Sequence, residues 1–266
     1  MADKLGHILA IVEGEDREYD VIDNIRNTFF SGKKPVFILT LSAKQNVYML
    51  WNKLKNDDFE TDLVEILKET DSDANRILSA YSRDDFDEIY LFFDFDGHHD
   101  NLKIEDRDKD VLSEMLQTFD NETELGKLYI SYPMIEALRD YKSGTCNIVT
   151  ECTLDFEQLT SYKHRSGTNN ANTKISNYSI VEWKDILSSF SQRLSCLFKL
   201  DEVISYRNYK DSVTPYNIYL QECHYTEQNK IFVLSGIPEF LLDYYSEKFW
   251  INHIKNKKMH PLKCSK

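Results

Sequence analysis

The stretch IYLFFDFDGHHD, residues 89–100, decides how the fold of this chain is interpreted. Its first five residues are apolar, which is typical of a β-strand covered on both faces, and an Asp-x-Asp-Gly sequence follows directly. Side chains alternate along a strand, so Asp94 and Asp96 are expected on one side and Phe95 on the other. These residues predict a buried strand that ends in a pair of carboxylates.

A second acidic turn follows the apolar run near the start of the chain, in ILAIVEGEDREYD, residues 8–20. Glu13 ends that run, and Gly14 comes next, where a tight turn would let the backbone approach an ion or a phosphate. In a parallel sheet the ligand crevice lies beyond the carboxyl ends of the strands. Glu13 is therefore expected to meet Asp94 and Asp96, although they are far apart in sequence.

Carboxylates that gather at neighbouring strand ends repel one another, and a divalent cation would compensate this repulsion. Mg²⁺ or Mn²⁺ suits such a site, because both ions prefer oxygen ligands and leave positions for water and phosphate oxygens. The predicted metal ligands are Glu13, Asp94 and Asp96. The adjacent His98 and His99 are candidates for phosphate contacts or proton carriers, and equally for neutral surface residues.

The segments around these turns alternate between strand and helix patterns, which predicts an α/β fold with a mostly parallel sheet flanked by helices. The strand candidates are four short apolar runs, residues 7–12, 35–41, 88–93 and 127–131. Apolar residues at helical spacing mark the helix candidates, residues 15–30, 47–54, 62–81 and 111–119. A break in the third of these helices is expected at residues 71–73.

Beyond about residue 144 the alternation stops. An apolar stripe from Val181 to Leu197 predicts one long helix, and Pro238 is expected to open the last one. Residues 161–177, SYKHRSGTNNANTKISN, are polar enough to predict a loop. The chain is therefore expected to divide into an α/β domain that carries the acidic turns, residues 1–144, and a mainly helical subdomain, residues 145–266.

The charge of the chain bears on its partners. A net charge of −13 repels polyphosphate, which argues against a free-standing, tight nucleic-acid binder. Residues 158–181 and 248–266 nevertheless contain basic side chains and no Asp or Glu. These two segments are candidate surfaces for a phosphate backbone, unless their charges are merely solvated. The nucleic-acid-binding candidates within them are Lys163, Arg165, Lys174, Lys255, Lys257 and Lys258.

Other sequence features limit the class of protein. No apolar run approaches the roughly 20 residues that cross a bilayer, and the first residues lack the pattern of a removable leader. No membrane contact and a cytoplasmic location are therefore expected. The five cysteines never occur in Cys-x-x-Cys spacing, so they indicate neither a disulfide framework nor a zinc ribbon.

The two acidic turns together resemble a known domain. IVEG at the end of the first strand and FFDFDG at the end of a later one resemble the TOPRIM domain, over roughly residues 5–142. VEGEDREY looks closest to the RloB-like and OLD-family nucleases, which places Glu13 on the first family acid and Glu18 on the second. Arg17 stands where that family has Thr, and Asp16 is a rival to Glu18. The resemblance implies Mg²⁺- or Mn²⁺-dependent hydrolysis of phosphodiester bonds in DNA or RNA, with tRNA among the candidate substrates.

A further segment, FDNETELGKLYISYPMIEALRDY, resembles uncharacterised bacterial relatives of the same group. It places Glu136 on a helix after the fourth strand, as an acid that completes a second metal site or as an exposed helix acid. By resemblance, a separately encoded ATPase partner and a role in anti-phage defence are also implied. The chain itself has no Walker A sequence for ATP hydrolysis and no zinc module typical of primases.

Two other classes of function compete with the nuclease. FDFDG also resembles the nucleophile motif of haloacid-dehalogenase-like phosphatases, in which Asp94 would attack phosphorus. That family prefers Thr where His98 stands, and it places the motif on its first strand. The other alternative is an interaction module, in which the acids hold a structural ion or nothing and the aromatic helical half docks a partner such as the ATPase.

Overall fold

The computed structural model describes residues 6–14, 16–32, 34–41, 47–95, 110–140, 152–169 and 174–254. The chain forms two compact units, Met1–Leu128 and Tyr129–Lys266. The predicted domain boundary, after residue 144, falls outside the described residues and stays a prediction.

The first unit contains the alternating strands and helices that the sequence predicts. Its elements are β1 (His7–Glu13), α1 (Arg17–Phe29), β2 (Val36–Leu41), α2 (Val47–Asn56), α3 (Leu63–Thr70), α4 (Ser72–Leu78), β3 (Phe86–Asp94), α5 (Val111–Thr118), β4 (Asp120–Asn121) and β5 (Gly126–Ser131). The five strands form one sheet in the order β2-β1-β3-β5-β4. The prediction of an α/β fold with a mostly parallel sheet flanked by helices is confirmed.

Strand β1 lies inside this sheet and pairs in parallel with β2 on one side and β3 on the other. Its five central residues, 8–12, are at most 3% exposed, because both faces of the sheet are covered. Helix α1 contributes to this cover with a buried stripe of Val21, Ile22, Ile25 and Phe29. The short β4 pairs with β5 in the antiparallel direction.

Aromatic rings pack at the amino ends of these strands. His7, Phe37 and Phe86 pack edge to face, with ring centroids 4.9 to 6.2 Å apart, and Tyr81 joins them. The Nδ1 atom of His7 is 3.0 Å from the main-chain oxygen of Asp85. Packed rings of this kind favour a dry, well-ordered region. Strand β3 has polar residues at both ends, Asp87 and Glu88 at the amino end and Asp94 at the carboxyl end.

The predicted break between α3 and α4 is present at Asp71, which is 4% exposed. Its Oδ1 accepts hydrogen bonds from the main-chain N–H groups of Asp73 and Ala74, at 2.8 and 2.9 Å, and so caps α4. We expect Asp71→Ala to lower the free energy of unfolding by about 1–2 kcal/mol, measured by urea denaturation. Asp73→Ala, at an exposed position, should change it by less than about 0.5 kcal/mol. Equal effects of the two substitutions would contradict the capping role.

The second unit is mainly helical, as predicted. Its elements are β6 (Thr153–Asp155), α6 (Leu159–Asn169), α7 (Ile180–Leu197), α8 (Tyr206–Ser212), α9 (Pro215–Thr226), β7 (Lys230–Phe232), α10 (Gly236–Tyr244) and α11 (Glu247–His253). The sequence did not reveal β6 and β7, which pair as a two-stranded antiparallel sheet. Pro238 lies in the first turn of α10, whose N-cap is Ser235.

The loop predicted for residues 161–177 is wrong over its first nine residues, which belong to α6. Tyr162 and Ser166, one helical turn apart, are both fully buried. Tyr162 packs in a cluster with Ala137, Leu154 and Val233. This burial stabilises a helix whose own sequence is polar, which is a tertiary effect that local propensity does not record.

Candidate metal site at the carboxyl ends of two strands

Glu13 is the last residue of β1, and Asp94 is the last residue of β3. Val12 pairs with Phe92 in the parallel register, so Asp94 lies one residue beyond the position opposite Glu13. Neighbouring strands are about 4.8 Å apart and rise about 3.3 Å per residue, which puts the two Cα atoms about 6 Å apart. The backbones of Glu13 and Asp94 therefore lie close together at this end of the sheet.

The strand order gives this pair its place in the fold. From β1 the chain passes to β2 on one side of β1, and later enters β3 on the other side. In open parallel sheets the crevice at such a change of direction, outside the carboxyl ends of the strands, is where ligands bind. Glu13 and Asp94 stand at this crevice.

The two side chains approach this crevice from different directions. Paired residues of parallel strands point to the same face, so strict alternation puts Asp94 on the face opposite Glu13. Both residues are half-buried. An ion shared by the two carboxylates would consequently lie beyond the strand ends, where waters and phosphate oxygens could complete its shell.

The turn after β1 brings a third carboxylate to this edge. Gly14 has φ of +100°, a conformation that favours glycine, and a Cβ placed on it would be 2.7 Å from Oε2 of Glu18. The carboxylate of Glu18 therefore lies directly against the backbone that follows Glu13. Asp16, the rival candidate, is exposed at the N-cap of α1 and makes no side-chain capping hydrogen bond. The geometry favours Glu18 over Asp16 as the second acid.

The other predicted residues of this site lie outside the described part of the chain, namely Asp96, His98 and His99. In the described residues, no group of three or more His, Cys, Asp or Glu side chains is close enough together to hold a metal ion. Glu13 and Asp94 thus provide two carboxylates at one edge, and Asp96, two residues after Asp94, is the expected third ligand.

Glu136 belongs to the second unit. It lies on a 3₁₀ turn, Ile135–Arg139, and is 2% exposed, so the reading of an exposed helix acid is wrong. Lys163 of α6 places its Nζ 3.9 Å from Oε1 of Glu136. The prediction that Glu136 completes a second metal site stays a prediction.

The predicted basic residues are only partly described. The side chain of Lys163 is 65% exposed even though it faces Glu136, and Lys174 is exposed just before a 3₁₀ turn, Ile175–Asn177. Arg165 falls within α6, but its side chain is outside the described set. Lys255, Lys257 and Lys258 also lie outside it. Their role in binding a phosphate backbone stays a prediction.

Sequence reasoning overlooked two fully or nearly fully buried acids in the second unit, Glu222 at 0% and Glu239 at 2% exposure. The sequence does contain a signal for the burial of Glu222. Glu222 is four residues after Ile218, and both occupy the buried face of α9. An acid in register with the apolar face of a helix is a candidate for a buried polar site.

Comparison with protein-family models, with curated proteins and with solved structures finds no match to this chain. The family resemblance stays a prediction, and the function rests on the fold and on the geometry of the strand ends. Across the described residues, no helix is both long enough and apolar enough to cross a membrane.

Proposed function

We propose that this protein is a Mg²⁺- or Mn²⁺-dependent nuclease of the TOPRIM type, which hydrolyses phosphodiester bonds of nucleic acid. The observation that carries the proposal is the position of Glu13 and Asp94, at the ends of adjacent parallel strands where the sheet changes direction. Carboxylates gathered at one such edge are the ligands that these cations prefer. Glu18, folded over Gly14, adds a further acid beside them.

In this proposal Glu13, Asp94 and Asp96 hold the metal, and Glu18 assists. A bound divalent cation would lower the pKa of a coordinated water and stabilise charge on the scissile phosphate. Glu18 is positioned to accept a proton from the attacking water or to orient it, because its carboxylate is fixed against the turn after β1. Gly14 has no Cβ and so leaves room for that carboxylate beside the backbone.

The chain's charge favours a metal-assisted mode of binding. With a net charge of −13, the protein needs cations at the site to offset repulsion between its acids and the substrate backbone. Lys163, Arg165, Lys174 and the lysines after residue 254 are the proposed backbone contacts. A cytoplasmic location, a separately encoded ATPase partner and a role in anti-phage defence complete the proposal, and the family resemblance supports them.

The proposal is tested directly with the purified full chain. DNA, structured RNA and tRNA would be incubated with Mg²⁺, with Mn²⁺, and with a chelator, while calorimetry measures metal binding. We expect metal-dependent cleavage of at least one of these substrates, and metal binding that weakens in Glu13→Gln. Cleavage that persists at the wild-type rate in Glu13→Gln would overturn the proposal.

The choice between the two acids of the α1 turn is a separate prediction. Glu18→Gln should lower the cleavage rate by about 10-fold or more, because general acid–base or orienting groups contribute at least that much. Asp16→Asn removes the same charge from an exposed residue two positions away and should leave the rate within about 2-fold. Single-turnover rates at saturating Mn²⁺ measure both. A larger loss in Asp16→Asn would reverse the assignment.

A further inference from the structure

The second unit contains a carboxyl group that is wholly removed from solvent. Glu222 of α9 is 0% exposed. Its Oε2 accepts a hydrogen bond of 3.1 Å from the main-chain N–H of Phe232, in β7. Its Oε1 is buried and has no hydrogen-bond partner among the described residues. An ionised carboxylate left in this state would be costly, because burial without full compensation disfavours charge.

Other polar groups share this interior. Tyr132, which bridges to Leu234 in the antiparallel direction, is 1% exposed, and Glu239 of α10 is 2% exposed. Burial raises the pKa of the Tyr132 phenol well above its ordinary value, and the carboxylates of Glu222 and Glu239 raise it further. Both carboxyl groups are therefore close enough to the phenol to act on it.

Among the described residues, no positively charged side chain stabilises an ionised Glu222. Tyr219 and Cys223 of α9 raise the pKa of the Tyr132 phenol, as does Glu239 of α10. Glu222 itself accepts its hydrogen bond from the main-chain N–H of Phe232 in β7, which is neutral. Tyr209 of α8 donates its hydroxyl to the main-chain oxygen of Glu239, at 3.1 Å. A carboxyl group in a region of low dielectric that accepts only one hydrogen bond does not ionise readily and retains its proton.

We infer that Glu222 stays protonated in the folded protein, and that its carboxyl group is a proton-binding site that links the packing of α9 against β7 to pH. The ligand of this site is a proton rather than a metal ion. The inference concerns the second unit alone and does not depend on the proposed nuclease.

The direction of the pH effect follows from burial. Burial raises the pKa of Glu222 well above its ordinary value, and the Phe232 hydrogen bond opposes this only in part. The unfolded chain ionises Glu222 at the ordinary pKa, while the folded chain keeps the proton. The contribution of Glu222 to stability is thus fully present below the ordinary pKa, and is lost progressively as pH rises towards the folded pKa.

Replacing Glu222 by Gln mimics the protonated acid and removes the titration. We expect E222Q to unfold at a higher temperature than wild type at mildly alkaline pH. The difference should grow with pH, by up to about 10-fold in the unfolding equilibrium constant per pH unit. Glu202→Gln makes the same chemical change at an exposed position and should follow wild type. A difference between wild type and E222Q that does not vary with pH would overturn the inference.

Infrared spectroscopy of the full chain at neutral pH gives an independent readout. A protonated carboxyl band should be present in wild type and in Glu202→Gln, and absent in E222Q. If E222Q fails to fold, the wild-type spectrum decides: a band that disappears on unfolding supports the inference, and no band overturns it. A rise in wild-type melting temperature with added Mg²⁺, Mn²⁺ or K⁺ that is lost in E222Q would also overturn it, because the ligand would then be a metal cation.

Discussion

Replacing Asp94 by asparagine is expected to abolish metal-dependent cleavage, with a loss of at least about 100-fold in rate. This loss corresponds to about 2.7 kcal/mol of barrier, the scale of one ligand to a catalytic metal. The fold should be retained, because Asp94 is the last residue of β3 and the substitution replaces a negative charge on the strand next to Glu13 by a neutral amide. We therefore expect an inactive variant whose melting temperature equals or exceeds that of wild type. Single-turnover cleavage and calorimetric melting measure the two effects.

The matched control is Asp87→Asn, the same chemical change at the other end of the same strand. Asp87 is nearly half exposed, and its Oδ2 lies 3.0 Å from Nζ of Lys34. Surface ion pairs of this kind contribute at most about 1 kcal/mol, so cleavage should be unchanged. Full activity in Asp94→Asn would remove Asp94 from the site. A covalent phosphate trapped on Asp94 in wild type would favour the phosphatase alternative over water activated by a metal.

The first unit could be predicted well from sequence for a physical reason. Strands β1 and β3 are covered on both faces over residues 8–12 and 89–93, so these stretches are continuous apolar runs and the pattern is local. The break at Asp71 was visible because its side chain caps α4 from within the same segment. By contrast, β6 and β7 are each three residues long and pair with each other. Three residues are too few to show the periodicity of a strand, so the sequence did not predict them.

The sequence was sufficient to predict which two strand ends carry the acids of the candidate site. Glu13 and Asp94 each follow an apolar run, and parallel strands bring their carboxyl ends to one edge. The resemblance placed Glu18 ahead of Asp16 as the second acid, and that choice stays a prediction; the structure adds the position of the Glu18 carboxylate against Gly14, which no sequence pattern encodes. Glu222 and Glu239 were missed because an acid on a helix is usually solvated, and here tertiary packing buries it.

Arg193→Met is expected to destabilise the second unit by about 2–4 kcal/mol. Arg193, in α7, is 5% exposed, and its guanidinium donates to the main-chain oxygens of Val233 and Asp140, at 2.9 and 2.8 Å. The carboxylate of Asp140 in turn accepts a hydrogen bond of 2.6 Å from the hydroxyl of Tyr162, in α6. The Arg193 guanidinium therefore connects α7 to the segments that contact α6 and follow β7. Methionine is of similar length but leaves the buried carbonyl of Val233 and the partly buried carbonyl of Asp140 without their charged donor.

Urea denaturation of the full chain measures this loss, and two further substitutions isolate its cause. Arg207→Met removes the same group from a side chain that is 89% exposed, and should cost less than about 0.5 kcal/mol. The loss of stability in Arg193→Lys should lie between the losses in Arg193→Met and Arg207→Met. A lysine ammonium group cannot donate to both carbonyls with the geometry of the planar guanidinium. If Arg193→Met were no less stable than Arg207→Met, the guanidinium would not be the tie between these segments, and apolar packing around Tyr162 would have to hold α6 in place by itself.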